Sequence, residues 1–120
     1  MTKTLGFLLM TGPYTFENSM TFYKLAKAAL EKGYSVKAFL FVDGVNNAKL
    51  NQDPSPEEPI NELFQQLADA GIDFQACGLC TSARGFDQTG ADFIPGVEVS
   101  GLTEFAEIVG QVDRFITLSI

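Results

Sequence analysis

Two side chains of this sequence are nucleophilic and redox-active on their own account: Cys77 and Cys80, in the stretch Phe74 to Gly85 that reads FQACGLCTSARG. The chain has no histidine, and these are its only two cysteines. A Ser-His or Cys-His hydrolase therefore lacks its general base. A structural zinc site wants four Cys or His ligands, so a metal is not expected. What remains is a thiolate acting alone, a Cys-x-x-Cys dithiol couple, or two small buried side chains that happen to be close.

Cys77 ends a short apolar stretch that reads as a strand, and GLCTSARG after it can form a helical turn whose first amides point toward the sulfur. Such amides stabilise a thiolate, and a nearby cation adds to the effect. Arg84 is the one cation in reach along this segment; it is a candidate stabiliser of the thiolate or, equally, a solvated surface charge. Cys80 lies one helical turn beyond Cys77 and is a candidate second thiol. A thioredoxin-type pair normally follows the first strand of its domain, whereas this one follows the third.

The elements that must position these residues alternate in type. Leu5 to Met10 is a continuous apolar run, as expected for a strand buried on both faces, broken by Gly12-Pro13. From Asn18 the period changes: Phe22, Leu25, Ala26, Ala29 and Leu30 line one face of a helix that stops at Gly33, with Lys24, Lys27 and Glu31 opposite. Val36 to Val42 is a second strand, ended by the turn signal Asp43-Gly44. Asn46 to Pro59 holds three of the five prolines and reads as an exposed loop, with a short helical turn near Ala48 to Leu50.

Ile60, Leu63, Phe64, Leu67 and Ala68 repeat the helical spacing up to Gly71, and Ser55 to Glu58 resembles a capping box with Pro56 in first position. Strands from Ile72, Val97 and Arg114 and a helix from Leu102 to Val109 follow. The alternation predicts a three-layer α/β/α sandwich with a mostly parallel five-stranded sheet, one domain over residues 1–120. In such sheets functional groups gather beyond the carboxyl ends of the strands. Three loops should meet there: Thr11 to Asn18, Asp43 to Leu50, and Cys77 to Gly85.

Bulk properties narrow the partners. A chain of 120 residues with 46% hydrophobic composition can bury a core without disulfides or metals. A formal net charge of -7 argues against a grip on nucleic-acid phosphates, which needs clustered cations. The N-terminal apolar run is too short for a signal-peptide core or a membrane span, so a cytoplasmic protein is expected. The apolar stretch Phe93 to Val99, with Tyr14 and Phe16, is a candidate for core or subunit contact.

The ordered set of features resembles the DsrE/TusD family of sulfur-relay proteins, over nearly the whole chain. The resemblance rests on GPY at Gly12 to Tyr14, on SMTFYKLAKAALEKGYSV from Ser19, and on FVDGVNNA from Phe41. It rests further on ELFQQLADAGIDFQACGLCTSARG from Glu62 and on the ending VDRFITLSI. The spacing from Cys77 to Arg84-Gly85, with the small residues Gly78 and Ser82 between, places Cys77 on the family's sulfur-carrying position.

The resemblance implies a DsrEFH-like fold and a cysteine that receives sulfane sulfur as a persulfide and relays it, with no cofactor. It also implies a homo- or hetero-hexamer, TusA-like donors and DsrC/TusE-like acceptors. Two positions depart from the pattern: Cys80 stands where a small aliphatic residue is usual, and Ala83 where a second Arg is common. Besides a persulfide carrier of the sulfurtransferase type, a Cys77/Cys80 oxidoreductase and a non-catalytic oligomeric subunit or small-molecule binding module stay open.

Overall fold

The N-terminal apolar run sits where a doubly buried strand must. In the computed structural model, which describes residues 2–120, β1 (Thr4–Leu9) lies between β2 (Ser35–Leu40) and β5 (Arg114–Leu118). β3 (Asp73–Cys77) pairs with the outer side of β2, and β4 (Val97–Ser100) closes that edge, giving the order β4-β3-β2-β1-β5. Every pairing is parallel, so each return path needs a crossover. Helices α1 (Asn18–Glu31), α2 (Ile60–Asp69) and α4 (Leu102–Gln111) supply them, together with the short α3 (Gly78–Ala83).

Strand register sets the layers, because residues paired across a parallel ladder project to the same face. Phe7, Ala38 and Phe74 share one face. There Phe7 meets Phe22 of α1 edge-on with centroids 5.0 Å apart, and Phe74 stacks on Phe64 of α2 at 5.5 Å. On the other face Phe39 packs against Phe105 of α4 at 5.1 Å, and Phe105 in turn against Phe115 at 5.8 Å. The expected three-layer sandwich is thus built on phenylalanine, each fully buried ring contributing about 1.5–3 kcal/mol by leaving water.

Three local expectations need correction. The capping box proposed at Ser55 to Glu58 does not form: α2 begins at Ile60 with Pro59 extended before it and no side-chain cap. A proline disfavours helical backbone at the residue before it, so Glu58 cannot carry a helix through Pro59. Leu25, assigned to the inner face of α1, is 41% exposed, at the border of the apolar stripe. β2, in turn, stops at Leu40, two residues short of Val42.

The early stop of β2 has a consequence for the site. Val42 takes φ 47°, unusual for a β-branched side chain, and starts a 3-10 helix, Val42–Ala48. That helix replaces both the simple Asp43-Gly44 turn and the turn expected at Ala48 to Leu50. It lies directly on the end of β1, since a Cβ at Gly44 would come 2.0 Å from the Leu9 carbonyl oxygen. No residue but glycine fits.

The packing is tied by Asn47, which is fully buried. Its Nδ2 donates to the carbonyls of Thr11 and Gly44, both at 2.9 Å, and its Oδ1 accepts from the Ser19 hydroxyl. One amide therefore joins the loop after β1, the start of α1 and the 3-10 helix. Asn47→Ala would strand a buried hydroxyl and two carbonyls, and is expected to lower unfolding free energy by about 3 kcal/mol or more, read as a shift of the urea midpoint at unchanged slope.

Candidate functional site

Cys77 is the last residue of β3 and also the N-cap of α3. Its backbone is extended (φ −63°, ψ 120°), so its sulfur folds back over the first turn and accepts the Cys80 amide at 3.4 Å. The turn can close this tightly because of Gly78: a Cβ there would lie 3.3 Å from the Ser100 carbonyl and 3.4 Å from Val99 Cγ1. Thr81, also buried, secures the turn by donating its hydroxyl to the Gly78 carbonyl at 2.8 Å.

Cys80 lies on the inner side of that turn. Its sulfur accepts the Val42 amide at 3.2 Å, so the unusual backbone at the end of β2 delivers a hydrogen-bond donor to the second thiol. Both cysteines are free and buried, at 4% and 7% exposure. Burial raises the Cys80 thiol above its ordinary range, and the hydrogen bond and charge of Cys77 raise it further. The Val42 amide and Arg84 pull the other way without cancelling the rise. Cys80 thus holds its proton beyond the ordinary thiol range.

Arg84, proposed from the sequence as a stabiliser of the Cys77 thiolate, makes its hydrogen bonds elsewhere. Its Nε and Nη2 reach Asp43 Oδ1 at 2.9 and 2.8 Å, and Nη1 donates to the Cys80 carbonyl at 3.1 Å. It ties the end of α3 to the turn after β2, and its charge acts on Cys80. The Asp43 side chain is 65% exposed, so the ion pair itself is worth at most about 1 kcal/mol.

Three residues of the site carried no signal for their roles in the sequence. Val42 acts through its backbone amide, and Asp43 was placed in a turn and in a loop expected to reach the site, without a partner named for it. Ser100 is the strand partner of Cys77, and its buried hydroxyl oxygen has no hydrogen-bond partner among the described residues. Three apolar side chains close in sequence to the site are exposed: Leu79 at the start of α3, at 80%, Val99 near the end of β4, and Leu102 at the start of α4. The three loops do converge, through Asn47 with Thr11 and through Val42 and Asp43 with Cys80 and Arg84.

A separate open groove of about 1070 Å³ lies between α1 and residues 52–60. Tyr14, Phe16, Tyr23, Asp53, Glu57 and Glu58 line it, and neither cysteine does. Phe93 and Ile94, candidates for core or subunit contact in the sequence, are buried in the core of this chain, with Phe93 against Phe86 and the Ile94 amide bonded to the Ala48 carbonyl. No helix among the described residues is long and apolar enough to cross a membrane.

An open, all-parallel α/β sheet that holds a pair of buried thiols beyond its carboxyl edge defines the class of protein. The chain belongs to the DsrE/DsrF-like family, whose model matches residues 3–118. It is 30% identical over 122 residues to the sulfurtransferase TusD of Cronobacter sakazakii, covering 91% of this chain and 95% of that one. It is 35% identical over 109 residues to an uncharacterized protein of Methanopyrus kandleri, covering 91% and 88%. The crystal structure of the ychN protein from E. coli superposes with a TM-score of 0.88 at 26% identity, over 98% of this chain and all of that one.

The raised Cys80 thiol links pH to stability with a definite sign. In the unfolded chain this thiol titrates near its ordinary 9.0, and in the fold it titrates higher. Below 9.0 both states hold the proton and the contribution is complete; as pH rises further the unfolded state sheds its proton first, and stability falls until the folded thiol also ionises. Thermal unfolding followed from neutral pH to above 9.0 should show this decline in the wild type, and Cys80→Ser should lack that part of it.

Proposed function

We propose that the chain carries sulfane sulfur as a persulfide on Cys77 and relays it to a partner protein. The observation that carries this reading is the setting of Cys77: a buried sulfur at the end of a parallel strand, solvated by a backbone amide and requiring no histidine. The relationship to a sulfurtransferase TusD supports it.

In this reading the Cys77 thiolate attacks the outer sulfur of a donor persulfide. A bond forms between Cys77 Sγ and the sulfane sulfur, and the donor leaves as a thiolate. The acceptor's thiolate then attacks the same outer sulfur and Cys77 departs as thiolate, so no electrons are gained or lost overall. One sulfur serves as nucleophile and then as leaving group, and the same backbone amide supports its anion in both roles. Burial keeps the persulfide away from bulk oxidants.

The exposed side chains of Leu79, Val99 and Leu102 offer a landing surface for the cysteine-bearing segment of a partner. A TusA-like donor, a DsrC/TusE-like acceptor, a homo- or hetero-hexameric assembly, a cytoplasmic setting and a single domain belong to the same proposal.

The test is to incubate the fully reduced protein with inorganic polysulfide and record intact and peptide masses. Gain of one sulfur on the Cys77 peptide is expected in the wild type and in Cys80→Ser, with uptake in Cys77→Ser reduced at least about a hundredfold, as for loss of a nucleophile. Uptake by Cys77→Ser at the wild-type rate would refute the assignment. Inert thiols in the wild type would favour a non-catalytic subunit.

A further inference from the structure

Cys80 is more than a neighbour of the carrier. Resting on the reading of Cys77 as that carrier, we propose that Cys80 discharges an undelivered persulfide: it attacks Cys77 Sγ, expels the sulfane sulfur as hydrogen sulfide and leaves a Cys77–Cys80 disulfide. A dithiol reductant must then reopen the pair before sulfur can be loaded again. The activity is a sulfide-releasing one, distinct from relay.

The geometry of the pair carries this inference. The two residues share the first turn of α3, with Cys77 as its N-cap and the Cys80 amide bonded to Cys77 Sγ at 3.4 Å. The contact is with Sγ itself, the atom that becomes the inner sulfur of a persulfide. Attack on the outer sulfur would merely move the persulfide from one cysteine to the other. Attack on Sγ ends the carrier state.

Two groups beside Cys80 favour the attacking form, against the larger effect of its burial. The Val42 amide at 3.2 Å supports negative charge on its sulfur, and the positive charge of Arg84 acts on it in the same sense. Burial first, and then the hydrogen bond and charge of Cys77, hold the Cys80 proton; with sulfur attached that charge moves outward to the terminal atom, which weakens the repulsive part.

The step balances. The Cys80 proton passes to the terminal sulfur; the Cys80 electron pair forms the new Sγ–Sγ bond; and the bond from Cys77 Sγ to the sulfane sulfur breaks with its pair going to the leaving sulfur. The sulfane sulfur is reduced by two electrons to sulfide, and the two cysteine sulfurs are oxidised together to the disulfide. No other oxidant is needed. The dithiol reductant acts only in the recovery step.

The experiment loads reduced wild type and Cys80→Ser with polysulfide, removes excess reagent, and follows intact mass and free sulfide without oxygen or acceptor. The wild type is expected to lose its added sulfur, become two hydrogens lighter than the reduced chain, and release sulfide in equal amount. Cys80→Ser is expected to keep its added sulfur at least about tenfold longer and to release no sulfide by this route.

Equal decay in the two proteins, or wild-type discharge without a Cys77–Cys80 disulfide, would overturn the proposal while leaving the carrier reading intact. Uptake by Cys77→Ser at the wild-type rate would overturn both. Should Cys80→Ser fail to fold, the equality of sulfide and disulfide in the wild type decides alone.

Discussion

The site depends on how closely the 3-10 helix after β2 can approach the end of β1. Gly44 lets the two backbones touch, and the Asn47 amide satisfies polar groups that this contact buries. Unpaired, those groups would each cost about 1–3 kcal/mol. With the turn held there, the Val42 amide points at Cys80 and Asp43 meets Arg84. A looser turn would leave the Cys80 sulfur without the Val42 amide and Arg84 without its carboxylate.

The pair is chemically unequal although its members have the same side chain. Cys77 caps a short helix and accepts an amide from its own turn, whereas Cys80 is enclosed by groups from another part of the fold. Burial and the neighbouring thiol hold the proton on Cys80. A carrier needs one ionisable sulfur that reacts outward, and a second ionised sulfur beside it would repel an approaching thiolate. A proton held on Cys80 reduces that repulsion.

Much of the frame was legible in the sequence. The change from continuous apolar runs to helical spacing located the strands and the long helices, because that periodicity follows directly from which faces are buried. The turn at GLCTSA was readable for the same local reason. The pairing of Arg84 with Asp43 was not: 41 positions separate them, and nothing in either segment names the other. Val42 was also hidden, since an apolar β-branched residue after a strand reads as more strand and its role here lies in its backbone. The loop from Asn46 looked solvated by composition, yet Asn47 and Ala48 are fully buried, because an amide that can satisfy several backbone groups is tolerated inside.

The shortness of α3 separates two kinds of information. The closeness of the two sulfurs is written in a single turn of six residues, a contact of very low sequence separation that forms whenever this turn forms. The Val42 amide that bonds Cys80 and the Asp43 carboxylate that holds Arg84 are written across long range, 38 and 41 positions away from their partners. Reactivity between the sulfurs is therefore inherited with a short peptide, while its rate is set by the tertiary structure. A sequence can drift widely around α3 and change how fast the thiols react without changing which atoms meet.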